Sequence, residues 1–321
     1  MSDAPDNAKI STVSIVRPSP PENVQNTKAS AQNTTPNNSP LSILYRGSLL
    51  SCNYDCGYCP FAKAQDSRES LAKDAIELTR FVDWVSQQTR PIRILFTPWG
   101  EAFIRRYYQE AIIRLGQMPQ VKRIAIQTNL SLSTSALKRC QSEALALWCT
   151  YHPSQISREA FLEKCRWMLA EGMRFSVGMV GNRNELDEIG AMREALPPEI
   201  YLWVNANRDE QQDYQQTELE LLKHLDPLFE HNLHQYPSEG KSCNTGSQVI
   251  SVNGTGNVQR CHFVKQSLGN LYDGSFRETH APCPNHSCDC HIGYIHLPNL
   301  KLESVYGDGL LERIPQPVYW Q

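Results

Sequence analysis

From Leu41 onward, short apolar runs rich in β-branched residues recur at intervals of roughly the ~30 residues of a β–α unit. They are Leu41–Tyr45, Ile92–Thr97, Val121–Thr128, Ala146–Tyr151, Arg174–Val180 and Ile200–Val204. Such runs read as strands buried on both faces. Helical periodicity lies between them. Phe103, Tyr107, Tyr108, Ala111, Ile112 and Leu115 share one face, and Phe161, Cys165, Met168 and Leu169 share another. Six β–α repeats predict a parallel sheet. A closed eightfold barrel needs two more units, and the pattern changes near Asp209. The predicted fold is therefore α/β, a partial (β/α)6 TIM-like barrel over residues 41–208.

The flanks differ. Residues 1–40 are rich in Pro, Asn, Ser and Thr and hold no aromatic residue, a composition that cannot offset its ordering entropy, so they read as a disordered tail. Residues 209–236 form a helical connector with Leu219, Leu221, Leu222, Leu225 and Leu228 at amphipathic spacing. Residues 237–296 form a small cysteine-rich extension in which Gln248–Val252 and Val258–Cys261 flank Asn253-Gly254-Thr255-Gly256, a β-hairpin signal. Residues 297–321 remain as a C-terminal tail.

The chain has 321 residues and a formal net charge of −3. That balance gives no electrostatic case for nucleic acid, and no apolar stretch reaches the ~20 residues of a membrane span. The first residues carry acids and no secretory pattern, which places the protein in the cytoplasm. Its 11 cysteines then read as metal-binding or catalytic.

In each β–α repeat the strand run ends in polar or unusual residues, where a barrel gathers its chemistry. The first leads into Ser51-Cys52-Asn53-Tyr54-Asp55-Cys56-Gly57-Tyr58-Cys59-Pro60. The others end in Thr97-Pro98-Trp99-Gly100-Glu101, Gln127-Thr128-Asn129, Thr150-Tyr151-His152-Pro153, Gly178-Met179-Val180-Gly181-Asn182 and Asn205-Ala206-Asn207-Arg208. Cys52, Cys56 and Cys59 can hold three corners of a [4Fe–4S] cube and leave one iron open. A zinc site would want a fourth Cys or His close by, and the nearest histidine in sequence is His152.

Cys-x3-Cys-x2-Cys directly after the first strand, with Tyr58 before the last cysteine, resembles the signature of the radical S-adenosylmethionine (radical SAM) superfamily. The resemblance implies that Cys52, Cys56 and Cys59 each bind one iron and that SAM binds the fourth. Trp99-Gly100-Glu101 stands at the family's Gly-Gly-Glu position, with Trp99 replacing the first glycine. It implies that Gly100 lets backbone approach the ligand and that Glu101 pairs with the SAM ammonium. Tyr58 would face the adenine. Gly181 falls in a partial match to the family's later glycine motif, in which Val177 holds the first glycine position and Glu185 comes one residue late. His152 would meet the ribose or the substrate, and Asn129, Asn205 and Asn207 are further candidates for SAM or substrate. Cys149, inside the fourth strand run, is a candidate hydrogen-atom donor if its side chain points inward; Cys140 and Cys165 read as packing residues.

The extension carries Cys243, Cys261, Cys283, Cys288 and Cys290. Cys-x12-Gly-x4-Cys followed by a later cysteine group is similar to the SPASM/twitch extension, which implies one auxiliary [4Fe–4S] cluster held by four of the five; a zinc knuckle is the alternative. Together these resemblances imply an enzyme that cleaves SAM reductively to a 5′-deoxyadenosyl radical, which takes hydrogen from an unknown peptide or small-molecule substrate. The auxiliary cluster would assist oxidation, and a flavodoxin or ferredoxin type of donor would supply low-potential electrons. A non-catalytic iron–sulfur or zinc protein that transfers electrons is the reading from another class.

Overall fold

The computed structural model describes residues 39–61, 64–207 and 213–321. The expected tail lies almost wholly outside these residues, as do Arg208 and the expected boundary at Asp209. Six strands follow one another in sheet order: β1 (Leu41–Arg46), β2 (Ile92–Phe96), β3 (Val121–Thr128), β4 (Leu145–Thr150), β5 (Arg174–Gly181) and β6 (Leu202–Ala206). Each pairs in parallel with the next. The connecting helices are α1 (Arg68–Ser86), α2 (Arg106–Gly116), α3 (Thr134–Cys140), α4 (Arg158–Ala170) and α5 (Leu186–Ala195), and α6 (Gln216–Leu225) follows β6. Ser67, Ser133 and Ser157 cap α1, α3 and α4 by accepting a backbone N–H of the first turn.

Strand alternation divides the core. Ile43, Tyr45, Ile94, Phe96, Ile124, Ile126, Leu147, Leu202 and Val204 pack against the helices. Their neighbours Leu44, Leu95, Ala125, Trp148 and Trp203 point to the opposite, inward face. Cys149 belongs to the helix side and sits beside Cys165. It does not face the lumen, which removes the expected hydrogen-donor role. Leu169 departs from its predicted face and is exposed at the back of α4.

After α6 come β7 (Tyr236–Pro237), β8 (Val249–Asn253), β9 (Asn257–Gln259), β10 (Ser267–Asn270) and β11 (Ser287–Cys288), then α7 (His291–Tyr294) and α8 (Leu302–Tyr306). The expected hairpin is β8–β9. It is not a separate lobe, because β8 pairs in parallel with β1 and extends the barrel sheet, and residues 38–321 form one compact unit. The C-terminal residues are also built in. Ile292 and Leu311 cover the inward sheet face. The fully buried Glu312 pairs with Arg123 at 3.3 Å and Arg174 at 2.6 Å. Arg313 stacks on Trp203 and donates to Asn205 Oδ1 at 2.7 Å. Glu312 closes the amino end of the barrel and leaves the carboxyl rim for the site.

Candidate active site

The parallel order brings all six carboxyl strand ends to one rim. The cysteine loop leaves β1 there and is fixed by residues before and after it. Asp74 accepts the Ser48 and Leu49 N–H groups at 2.6 and 3.1 Å. Asp66 accepts the Leu50 and Ser51 N–H groups and the Ser51 hydroxyl at 2.9, 2.7 and 2.7 Å. Neither aspartate belongs to a motif; their signal is an acid shortly before and within the first turns of α1, within reach of the chain that enters the loop.

Gly100 is packed against this same segment. A Cβ there would lie 2.0 Å from the Ser51 carbonyl oxygen, and Glu101 N–H donates to that oxygen at 3.1 Å. The close approach expected at Gly100 is thus made to the cysteine-loop backbone, one residue before Cys52. Glu101 is buried. Its Oε1 accepts from Phe103 N and Thr128 Oγ1 at 3.0 and 2.9 Å, and its Oε2 accepts from Asn129 N at 2.6 Å. Burial pushes its carboxyl up to about 7, and these hydrogen bonds offset the burial only in part.

Asn129 reaches the cysteine loop: its Nδ2 donates to Asn53 Oδ1 at 3.0 Å and lies 3.7 Å from Cys52 Sγ. Tyr54 N–H also donates to that sulfur at 3.4 Å. Burial pushes the Cys52 thiol up. Across the rim, Tyr58 Oη and His152 Nδ1 are 2.7 Å apart with their rings stacked, and Gln155 accepts Asp55 N–H at 3.1 Å. Burial lowers His152 to about 4, so its ring is neutral near pH 7. Tyr58 and His152, expected at adenine and ribose, bind each other and lock the loop onto the end of β4. Beside them a cleft of about 550 Å³ opens between Tyr151, Arg158, Glu185 and Glu188.

Gly181 lies at the end of β5, where its carbonyl accepts the Tyr214 hydroxyl. Asn207 Nδ2 donates to Asn182 Oδ1 at 2.9 Å. Asn205 Oδ1 accepts from Arg313.

The late cysteines gather beside β8 and β9. Cys288 feels the charges of Cys261, Cys243, Cys290 and Cys283, and burial together with these neighbours pushes its thiol up to about 12. Cys261 feels Cys243 and Cys283. Cys290 packs at the edge of the inward core and acts on Arg46. Among the described residues, no three Cys, His, Asp or Glu side chains converge on a single metal ion. The donor chemistry of both groups fits iron–sulfur binding: each is all thiol, and a thiol gives up its proton to become a thiolate ligand when metal cations arrive. The SAM position has its own fit, since Glu101 is a buried carboxylate with no ion-pair partner among the described residues.

No protein-family model and no curated protein matches the chain. Solved structures do. Native anSMEcpe with bound AdoMet matches at a TM-score of 0.51 with 16% identity over 74% of this chain and 79% of that one. The same protein with bound AdoMet and the Cp18Cys peptide matches at 0.50 with 14% identity over 74% and 78%. A histidine-tagged form of anSMEcpe with bound AdoMet matches at 0.50 with 13% identity over 74% and 76%. The chain therefore shares the fold of anSMEcpe, and its six parallel strands with their helices form a partial (β/α)6 barrel.

Proposed function

We propose that this protein is a radical SAM enzyme with one auxiliary iron–sulfur cluster. The observation that carries the reading is a three-cysteine loop at the carboxyl end of β1, stitched through Gly100 and Glu101 to the end of β2 and through Asn129 to the end of β3. When bound, the cluster would supply one low-potential electron for reductive cleavage of SAM to methionine and a 5′-deoxyadenosyl radical that takes a hydrogen atom from the substrate.

Cys52, Cys56 and Cys59 would each hold one iron of the first cluster. Tyr54 N–H and the Asn129 amide lie against the Cys52 sulfur and favour its charged form. Glu101 gives up its proton to pair with the SAM ammonium, the counter-charge its burial lacks. Tyr58 and His152 hold the loop over the rim and limit water. The neutral His152 adds no charge there. Cys243, Cys261, Cys283 and Cys288 would hold the auxiliary cluster. Cys290, turned toward Arg46 and the inward core, is the cysteine left over. A substrate that loses a hydrogen atom to the 5′-deoxyadenosyl radical and then an electron and a proton is oxidised by two electrons, and the auxiliary site would take the electron of that second step. The separate electron that cleaves SAM would come from a flavodoxin or ferredoxin type of donor in the cytoplasm. Among the described residues no helix is long and apolar enough to cross a membrane.

EPR of the iron-loaded, dithionite-reduced protein tests the reading. SAM should change the signal in wild type and leave it unchanged in Cys56→Ser. A wild-type signal indifferent to SAM would leave only an electron-transfer protein.

A further inference from the structure

Among the described residues, the rim carries a cation that the fold leaves unmatched. Arg46 ends β1 on its inward face. At the opposite end of the sheet the inward arginines all have acids: Arg93 pairs with Asp308 at 3.1 Å, and Arg123 and Arg174 share Glu312. Arg46 instead donates from Nε to the Thr97 carbonyl at 2.9 Å, and no described carboxylate pairs with it. Arg46 is half-buried, and no hydrogen bond from its Nη groups to a described residue is seen.

Aromatic surface adjoins this cation. The Arg46 guanidinium lies 5.5 Å from the Trp99 ring centroid, and Phe61 stacks on Trp99 at 6.1 Å with planes 17° apart. Both rings are large and unusually open, at 43% exposure for Trp99 and 54% for Phe61. Exposed rings grouped at a rim mark a binding surface more often than chance placement does. The other wall is neutral. His262 has both ring nitrogens engaged, with Thr97 Oγ1 at 2.9 Å and Ser251 Oγ at 2.6 Å. Phe61 lies two residues after Cys59 and His262 one after Cys261, so the patch spans the gap between the two cysteine groups.

We infer that Arg46, Trp99 and Phe61 anchor the substrate by a carboxylate set beside an apolar group. The inference rests on the catalytic reading above. One guanidinium matches one unit charge. A phosphate dianion would keep one charge unmatched by this single guanidinium. A fork of N–H donors also suits a carboxylate geometrically.

The probes are phenylacetate and phenylacetamide, equal in shape and different in charge, titrated calorimetrically into iron-loaded, SAM-saturated protein. Wild type should bind the carboxylate about tenfold more tightly, as a charge-assisted hydrogen bond of this kind contributes. Arg46→Gln should erase that preference, Arg46→Lys should retain part of it, and Phe61→Ala should weaken both probes alike. SAM binding by equilibrium dialysis should be unchanged in Arg46→Gln. No preference in wild type, or one that survives Arg46→Gln, overturns the assignment. So does loss of SAM binding in Arg46→Gln, which would give the arginine to the carboxylate of SAM. An Arg46-dependent preference in a protein that never cleaves SAM would refute the catalytic reading and leave this subsite standing.

Discussion

Glu101→Gln gives a test with a definite sign. The carboxyl of Glu101 titrates at about 7 in the folded chain, against 4.5 for an ordinary glutamate. The folded state therefore holds its proton more tightly than the unfolded state. The stability from this group is fully present below pH 4.5 and is lost as the pH rises through 7. At about 1.4 kcal/mol per pKa unit the whole span is about 3.4 kcal/mol. Some 2.5 kcal/mol of it, roughly, falls between pH 5 and pH 8. Glutamine has the same shape and no titration. It also replaces an acceptor by a donor opposite Phe103, Thr128 or Asn129, a cost that does not depend on pH. Urea unfolding of the metal-free protein and the variant at pH 5 and pH 8 measures both parts. Wild type minus variant should shrink by about 2.5 kcal/mol from pH 5 to pH 8, while every other titrating group cancels in the difference. A difference that stays flat, or grows with pH, refutes the assignment of a protonated buried carboxyl at this rim.

Other positions give further outcomes. Glu312→Ala leaves Arg123 and Arg174 unmatched at the closed end of the barrel; with the Arg174 side chain 41% exposed and Arg123 15%, it should cost about 1–2 kcal/mol in urea unfolding. Gly100→Ala must move the Ser51 backbone, so it should destabilise by about 1–3 kcal/mol and reduce iron retained on the first cysteine group, read by iron analysis and absorbance. Cys288→Ser should remove the iron of the second group, whereas Cys290→Ser should keep it; equal loss in both would bring Cys290 into the ligand set.

The six strands and the cysteine loop were legible because buried parallel strands and a ligand loop are written locally. Each strand boundary falls within two residues of its apolar run. The join of β8 to β1 was not legible, since a pairing between Leu44 and Ser251 leaves no trace in local periodicity. The plug formed by Glu312 and Arg313 was likewise hidden in an apparent tail. Arg93, Arg123 and Arg174, on the inward face near the start of otherwise apolar strands, were the available signal, because cations at that end of the sheet call for acids from elsewhere in the chain. Alternation alone left Cys149 undecided between two faces; only the position of Cys165 on α4 settles it. The rim motifs were legible as residue types but not as partners. The hydrogen bond between Tyr58 and His152 left no sign in the motifs. Nor did the packing of Gly100 on Ser51.

The central claim is that the rim cleaves SAM. Iron-loaded protein should be incubated anaerobically with dithionite and SAM, and 5′-deoxyadenosine measured by chromatography. Wild type should release it and Cys56→Ser should not. Iron-loaded wild type that releases none, with its first cysteine group filled, would contradict the account.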